Sequence, residues 1–287
     1  MTEARYYNAA EDGVRCLLCP HHCHIKEGHR GICRSRECRG GKLYALSYGK
    51  PCALAIDPVE KKPLNRFMPG TYCLSLSCTG CNLSCRWCQN SDISQADPED
   101  ADHIVLTPAE VIATCIRNSL PSIAYTYTEP LTWWEYMFDI AALAHGKGLK
   151  NILVSAGYVE KEPLREILPF IDAANIDIKA MDDGFYRKYC GAELSPVLEN
   201  ILSMKDAGIH VEITNLLVTG LNDSAEHVGA LCRWMIANGL QEVPLHFSRF
   251  FPRHKMTESE PTPRASLIMA RDIAVSSGIK TVYLGNI

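Results

Sequence analysis

The sequence predicts an α/β protein: a partial parallel (β/α)6-type TIM-like barrel preceded by a small N-terminal Cys-rich metal-binding segment. Two observations carry that prediction. From Tyr72 onward, short apolar runs alternate with longer amphipathic stretches at the spacing of βαβ units, the pattern of a parallel sheet. Before residue 50 this alternation is absent, and the chain is dense in Cys, His, Arg and Gly instead. Between the two regions, Pro51, Pro58, Pro63 and Pro69 interrupt any helix and suit a linker wrapped against the following domain. We therefore divide the chain into residues 1–55, the metal-binding segment, and 56–287, the barrel.

In chain order, Tyr72–Ser77 reads as a strand that runs into a cysteine-rich loop. Thr107-Pro108-Ala109-Glu110 opens a helix, with Thr107 as N-cap, Pro108 in the first helical position and Glu110 closing a capping box. Residues 123–126, 151–155, 174–178, 209–217, 243–247 and 281–284 read as the following strands. Residues 131–145, a stretch around 163–170, segments on either side of Gly191 up to Ala207, and residues 225–238 and 264–276 read as helices. Right-handed crossovers would place the loops that follow the strands on one face, where barrel active sites sit.

At 47% hydrophobic and 22% charged, the 287 residues have an ordinary soluble globular composition. A net charge of -4 gives no basic footprint, so nothing argues for an electrostatically driven nucleic-acid partner. No apolar run is long enough to span a membrane, and Met1-Thr2-Glu3-Ala4-Arg5 lacks the apolar core of a signal peptide. The expectation is a cytoplasmic protein with reduced thiols. Clustered cysteines in that setting read as metal or catalytic ligands before disulfides.

Of fourteen cysteines, Cys81, Cys85 and Cys88 stand in a C-x3-C-x2-C pattern. Three thiolates on one loop can hold three irons of a four-iron cluster and leave the fourth iron open for a small molecule. A zinc knuckle completed by Cys78 is the alternative. Cys16, Cys19, Cys23 and Cys33 follow C-x2-C-x3-C-x9-C, with His21, His22, His24 and His29 interleaved. Zinc on four thiolates, zinc on three thiolates and a histidine, or a second iron–sulfur cluster all fit there. At the strand ends, Glu129 suits an ammonium through a charge-assisted hydrogen bond. Ser155-Ala156-Gly157 lets backbone approach a ligand closely. Asp177 and Lys179, two apart, share one face and offer both charge signs. Residues 248–256 mix arginines, aromatics and a lysine, which fits a substrate lid and equally a surface loop.

The cysteine spacing, with Trp87 before the last cysteine, resembles the signature loop of radical S-adenosylmethionine (SAM) enzymes, where the SAM amino and carboxylate groups chelate the open iron. In that family a glycine pair followed by Glu-Pro often binds the SAM amino group. Here Glu129-Pro130 match, while Tyr127 and Thr128 stand in place of the glycines. Asp177-Ile178-Lys179 is similar to the D-x-K segment of activating enzymes for glycyl-radical proteins. With Cys16-Leu17-Leu18-Cys19-Pro20-His21-His22-Cys23, Gly31-Ile32-Cys33 and His246-Phe247-Ser248-Arg249-Phe250-Phe251-Pro252, the chain resembles the radical SAM component of the AmmeMemoRadiSam group, which is pyruvate formate-lyase activating enzyme-like.

This resemblance implies the radical SAM form of the barrel, a [4Fe-4S] cluster on Cys81, Cys85 and Cys88, and SAM contacts from Thr126, Glu129, Ser155, Asp177, Lys179 and His246. It also implies reduced flavodoxin or ferredoxin as electron donor. The reaction implied is that of an oxidoreductase: the cluster reductively cleaves SAM to methionine and a 5′-deoxyadenosyl radical, which abstracts hydrogen from an unidentified substrate. A second enzyme reading is a glycyl-radical activase acting on a protein partner. Such enzymes usually carry a ferredoxin-like insert after the signature loop, whereas residues 91–103 here are acidic and free of cysteine. A non-enzymatic iron–sulfur electron carrier or zinc scaffold is the reading from another class, and it would show no SAM affinity.

Overall fold

Eight strands form one sheet in unbroken sequence order in the computed structural model of the protein, which describes residues 1–287. The strands are β1 (Pro51–Pro58), β2 (Tyr72–Cys78), β3 (Ser122–Tyr125), β4 (Lys150–Ser155), β5 (Ala173–Asp177), β6 (His210–Leu217), β7 (Leu245–Arg249) and β8 (Val282–Gly285). β1 pairs antiparallel with β2, and every later neighbour is parallel. Six helices make the crossovers: α1 (Pro108–Arg117), α2 (Trp134–Gly146), α3 (Lys161–Ile167), α4 (Ser195–Asp206), α5 (Ala225–Ala237) and α6 (Arg264–Ser276). β1 and β8 do not pair with each other, so the barrel is partial, of the (β/α)6 type.

The chain dictates these elements locally. α1 starts at the expected capping box, with the Glu110 amide donating to the Thr107 hydroxyl at 3.3 Å and the Thr107 amide to the Glu110 carboxylate at 2.7 Å. α5 and α6 bury Val228, Leu231, Cys232 and Met235, and Leu267, Ala270 and Ala274, all at three- and four-residue spacing. All of β3 and most of β5 are buried, because a parallel sheet is covered by helices on one side and filled by side chains on the other. No helix is long and apolar enough to cross a membrane.

The proline-rich stretch expected to be a linker is instead largely structural. Residues 51–58 form the antiparallel edge strand β1, straddling the 55/56 boundary drawn from the sequence. Edge strands tolerate proline because one row of their amides needs no partner in the sheet. Beyond β1, residues 62–66 plug the amino end of the barrel. The Pro63 carbonyl accepts from the Asn175 amide at 2.8 Å, and the Asn65 and Arg66 amides donate to Glu212 at 3.1 and 2.8 Å.

The N-terminal segment folds into two three-stranded antiparallel sheets whose strands are only two to four residues long. At that length the alternation of buried Val14 and Ile25 with more exposed neighbours is too brief to read as a strand from sequence. The segment docks onto the barrel through Arg36, which is fully buried. Its guanidinium grips both carboxylate oxygens of Glu135 on α2 at 2.6 and 2.8 Å and donates to the Arg5 carbonyl at 2.8 Å. A buried pair of this kind is costly to break, since removing either partner strands a charge.

Candidate active site

Carboxyl-terminal strand ends and the loops after them surround one cleft of about 340 Å³. Cys81, Cys85 and Cys88 line it from the loop after β2, Thr126 and Glu129 from the end of β3, and Ser155 and Ala156 from β4. Asp177 and Lys179 come from β5, Thr214 and Leu216 from β6, Ser248 from β7, and Asn286 from just beyond β8. Residues far apart in sequence thus meet where a parallel barrel gathers its loops.

The cysteine loop is held from every side. The Ser84 and Arg86 amides donate to the Cys190 and Tyr189 carbonyls at 2.7 and 3.2 Å, and the Gln95 amide group donates to the Leu83 carbonyl at 3.0 Å. His21 of the N-terminal segment bonds the Asn82 carbonyl at 2.7 Å, and the Asn82 side chain donates to the Tyr158 carbonyl at 2.7 Å. Residues 248–256 fold over the same loop. Lys255 donates its amide to Arg86 at 2.9 Å, Gln89 donates to the Phe251 carbonyl at 3.0 Å, and Arg253 meets Asp92 at 2.5 Å. Cys78 does not line the cleft, so the fourth ligand of the alternative zinc knuckle is not presented there.

Glu129 is almost wholly buried. Its carboxylate accepts from the Ser155 hydroxyl at 2.6 Å, the Ala156 amide at 2.8 Å and the Leu131 amide at 3.2 Å. Burial pushes its carboxyl above the ordinary range, and these donors, with Lys179, only partly restore the charge. Asp177 and Lys179 form an ion pair at 2.6 Å. Burial pulls Lys179 down, yet Asp177 and the Cys85 sulfur outweigh it and hold the ammonium above its usual range. The cleft therefore presents an anion, a cation–anion pair and three thiols within one volume.

His246, expected from resemblance at the SAM pocket, does not line the cleft. It pairs in register with Thr214, but its Nε2 turns to Glu212, one inward-facing position deeper, at 2.6 Å, and its ring stacks on Tyr283 at 4.9 Å. A fully buried carboxylate claims the nearest imidazole, and that places His246 with the barrel plug.

Two features escaped the sequence reading. Cys190 stands beside Cys85 from a single π-helical turn, Tyr186–Cys190, more than a hundred residues away in sequence. The turn approaches the loop closely because Gly191 lies at φ +67 and a Cβ there would stand 2.6 Å from the Ser84 hydroxyl. Tyr127, in place of the family glycine, adopts φ 66. Its hydroxyl bonds Asp57, and the Lys62 ammonium sits 4.4 Å over its ring. The four N-terminal cysteines surround a second, far smaller cavity behind Asn82. A π-turn beside a cysteine loop is a recurrent functional mark, but no local signal in the sequence places it.

A family profile described as the Radical SAM superfamily matches residues 76–235. An uncharacterised protein of Methanocaldococcus jannaschii is 48% identical over 288 residues, covering 100% of this chain and 86% of that protein. A 4-hydroxyphenylacetate decarboxylase activating enzyme of Clostridioides difficile is 28% identical over 169 residues, 58% of this chain. The matched part of this chain spans only 51% of that enzyme's length. Among solved structures, Streptococcus suis SuiB bound to S-adenosylmethionine superposes with a TM-score of 0.54 at 11% identity, covering 72% of this chain and 48% of SuiB, a likeness of fold.

Proposed function

We propose that this chain, which belongs to the radical SAM superfamily, is an activating-enzyme-like radical SAM enzyme of the AmmeMemoRadiSam group that binds SAM beside a [4Fe-4S] cluster on Cys81, Cys85 and Cys88. One observation carries the reading: the three thiols, the buried Glu129 and the Asp177–Lys179 pair converge on one cleft of about 340 Å³. The donor set fits. Three thiolates suit three irons, and the remaining cleft residues match the charges of an amino acid zwitterion. When bound, the pair of cofactors supplies reductive cleavage of SAM to methionine and a 5′-deoxyadenosyl radical that abstracts a substrate hydrogen.

The chain's own residues bind, orient and exclude water. Glu129 would accept from the SAM ammonium, and Lys179, held charged beside Asp177, would answer its carboxylate. Thr126, Ser155 and Asn286 line the remaining wall, and residues 248–256 cap the cysteine loop against solvent. The electron donor in this reading is reduced flavodoxin or ferredoxin. An oxygen-sensitive cluster and fourteen unpaired cysteines support a reducing, cytoplasmic setting.

A second reading, activation of a protein partner by glycyl-radical formation, is favoured by the names of relatives such as the activating enzyme of C. difficile. Against it stands the cysteine-free segment 91–103.

The test is anaerobic reconstitution, an iron count, then dithionite and SAM with assay for 5′-deoxyadenosine. About four irons in the cluster and product formation are expected, and Ala at any of Cys81, Cys85 or Cys88 should abolish the product. Retained cleavage in those variants would sink the assignment. Adding a candidate glycyl-radical enzyme and recording its EPR signal separates the second reading from the first.

A further inference from the structure

Cys16, Cys19, Cys23 and Cys33 come from separate points of the N-terminal segment and line one small cavity, together with Leu18, Ile25 and Asn82. Two tight turns present them. The His22 amide donates to the Cys19 carbonyl at 3.1 Å, with His22 at φ 43, and the Arg34 amide donates to the Gly31 carbonyl at 2.9 Å, with Arg34 at φ 63. Non-glycine residues in that region cost energy and persist where the surroundings over-determine them. The Ser35 hydroxyl donates to the Cys33 sulfur at 3.3 Å. Asn82, buried among these thiols, has a side-chain oxygen with no partner.

The histidines are spoken for. His21 bonds the Asn82 carbonyl at 2.7 Å, and His22 pairs with Glu160 at 2.9 Å. His24 pairs with Asp12 at 2.7 Å, and His29 bonds the Glu27 carbonyl at 2.9 Å. Four thiols therefore remain as the ligand set. Size decides what they hold. The cavity is about 10 Å³, room for one water-sized body, whereas the active-site cleft offers about 340 Å³. A four-iron cube does not fit the smaller space, but a single ion does. No three Cys, His, Asp or Glu side chains stand in preformed ion geometry anywhere in the chain, at the cysteine loop included. Binding at either site thus requires the sulfurs to rotate inward.

The geometry points to one zinc ion held by Cys16, Cys19, Cys23 and Cys33, which braces the Cys81/Cys85/Cys88 loop through His21 and Asn82. Four thiolates in a closed shell are the ligand set of structural zinc, and uptake of the ion releases the thiol protons. The strands of this segment are only two to four residues long, and an ion would add stability to the turns between them. The assignment of the ion does not rest on the SAM reading; only its bracing role does.

The test is zinc and iron per chain in anaerobically purified protein, followed by growth with cobalt and the visible spectrum of the substituted protein. About one zinc is expected in addition to the cluster iron, with the cobalt form giving the intense absorption of a tetrahedral tetrathiolate. Cys19→Ser and Cys33→Ser should lose the zinc, while Cys38→Ser, a buried cysteine outside the cavity, should keep it. A wild-type protein without zinc, or with about eight irons, would overturn the proposal whatever the SAM-cleavage assay reads. If the serine variants fail to fold, the wild-type cobalt spectrum still decides, since a spectrum without thiolate ligation refutes the site.

Discussion

Glu129→Gln is the substitution whose consequence follows most directly from the cleft. An ionised carboxylate offers about four lone-pair positions. Three are taken by Ser155, Ala156 and Leu131, which leaves about one for a ligand ammonium. Glutamine keeps the volume but removes the charge, and turns an N–H toward one of the resident donors. Losing a charge-assisted hydrogen bond costs about 1.5–3 kcal/mol. That converts to a SAM Kd about 10- to 150-fold weaker. The mismatched donor lowers thermal stability as well, by about 1–3 kcal/mol. Equilibrium dialysis of SAM against reconstituted protein, with iron content matched between wild type and variant, measures the first effect. Because burial raises the folded pKa of Glu129 above 4.5, wild-type affinity should fall as the pH drops toward that raised value, and the variant should be flat there. In the ligand-free protein the same shift has the opposite consequence: ionising Glu129 costs stability as pH rises. A Kd within twofold of wild type, at matched iron, would refute the placement of the ammonium on Glu129.

Other perturbations follow from the same geometry. Cys190→Ala removes a thiol that stands beside Cys85 and can donate to its sulfur, a contact that would favour the more negative, reduced cluster. A differential of about 0.5–1 kcal/mol corresponds to a potential about 20–40 mV more negative, readable by redox titration followed by EPR. Burial pushes Glu212 up, but hydrogen bonds from His210, His246 and the Arg66 and Asn65 amides outweigh it and hold the carboxyl at about 2 against its ordinary 4.5. The folded value lies below the unfolded one, so this contribution of about 3 kcal/mol is complete above 4.5 and lost as pH falls toward 2. Glu212→Gln should therefore flatten the acid-unfolding curve across that window. Tyr127→Phe strips one donor from the Asp57–Lys62 network and should cost about 1 kcal/mol in thermal unfolding, leaving SAM affinity near wild type.

How far the letters carried the reading depended on how local each signal was. The barrel was legible because strand and helix periods repeat along the chain, and the α1 capping box sits where Thr107 and Glu110 place it. That Cys81, Cys85 and Cys88 face one cleft was legible because they share one loop at a motif's spacing. The strands of the first 45 residues were not, since each spans at most four residues, too few for a period to show, even though most of their pairings are local hairpins. β1 was hidden by the prolines at its two ends, which an edge strand accepts. His246 was misplaced for a different reason. The expected strand ended at 247, whereas it runs Leu245–Arg249, so His246 lies near its amino end, within reach of Glu212, and Ser248 lies at the cleft.

The departure from the family glycines also has a physical sense in the fold. Glycines before Glu-Pro would turn the backbone without strain, whereas Tyr127 makes the same left-handed turn at a cost of about 1–2 kcal/mol. This segment is also tethered to the cysteine loop, by two backbone bonds and one side-chain bond. The Tyr127 carbonyl accepts from Asn90 at 2.7 Å, just past the cysteine loop, and the Thr128 hydroxyl donates to the Cys78 carbonyl at 2.6 Å. The Glu129 amide closes on the Gly80 carbonyl at 3.4 Å. Three consecutive residues thus lash the end of β3 to the loop that carries the cysteines, so that Glu129 and the three thiols move as one unit. A glycine pair would keep the two backbone bonds but lose the Thr128 hydroxyl bond and the Tyr127 side chain, whose contacts with Asp57 and Lys62 offset its backbone strain.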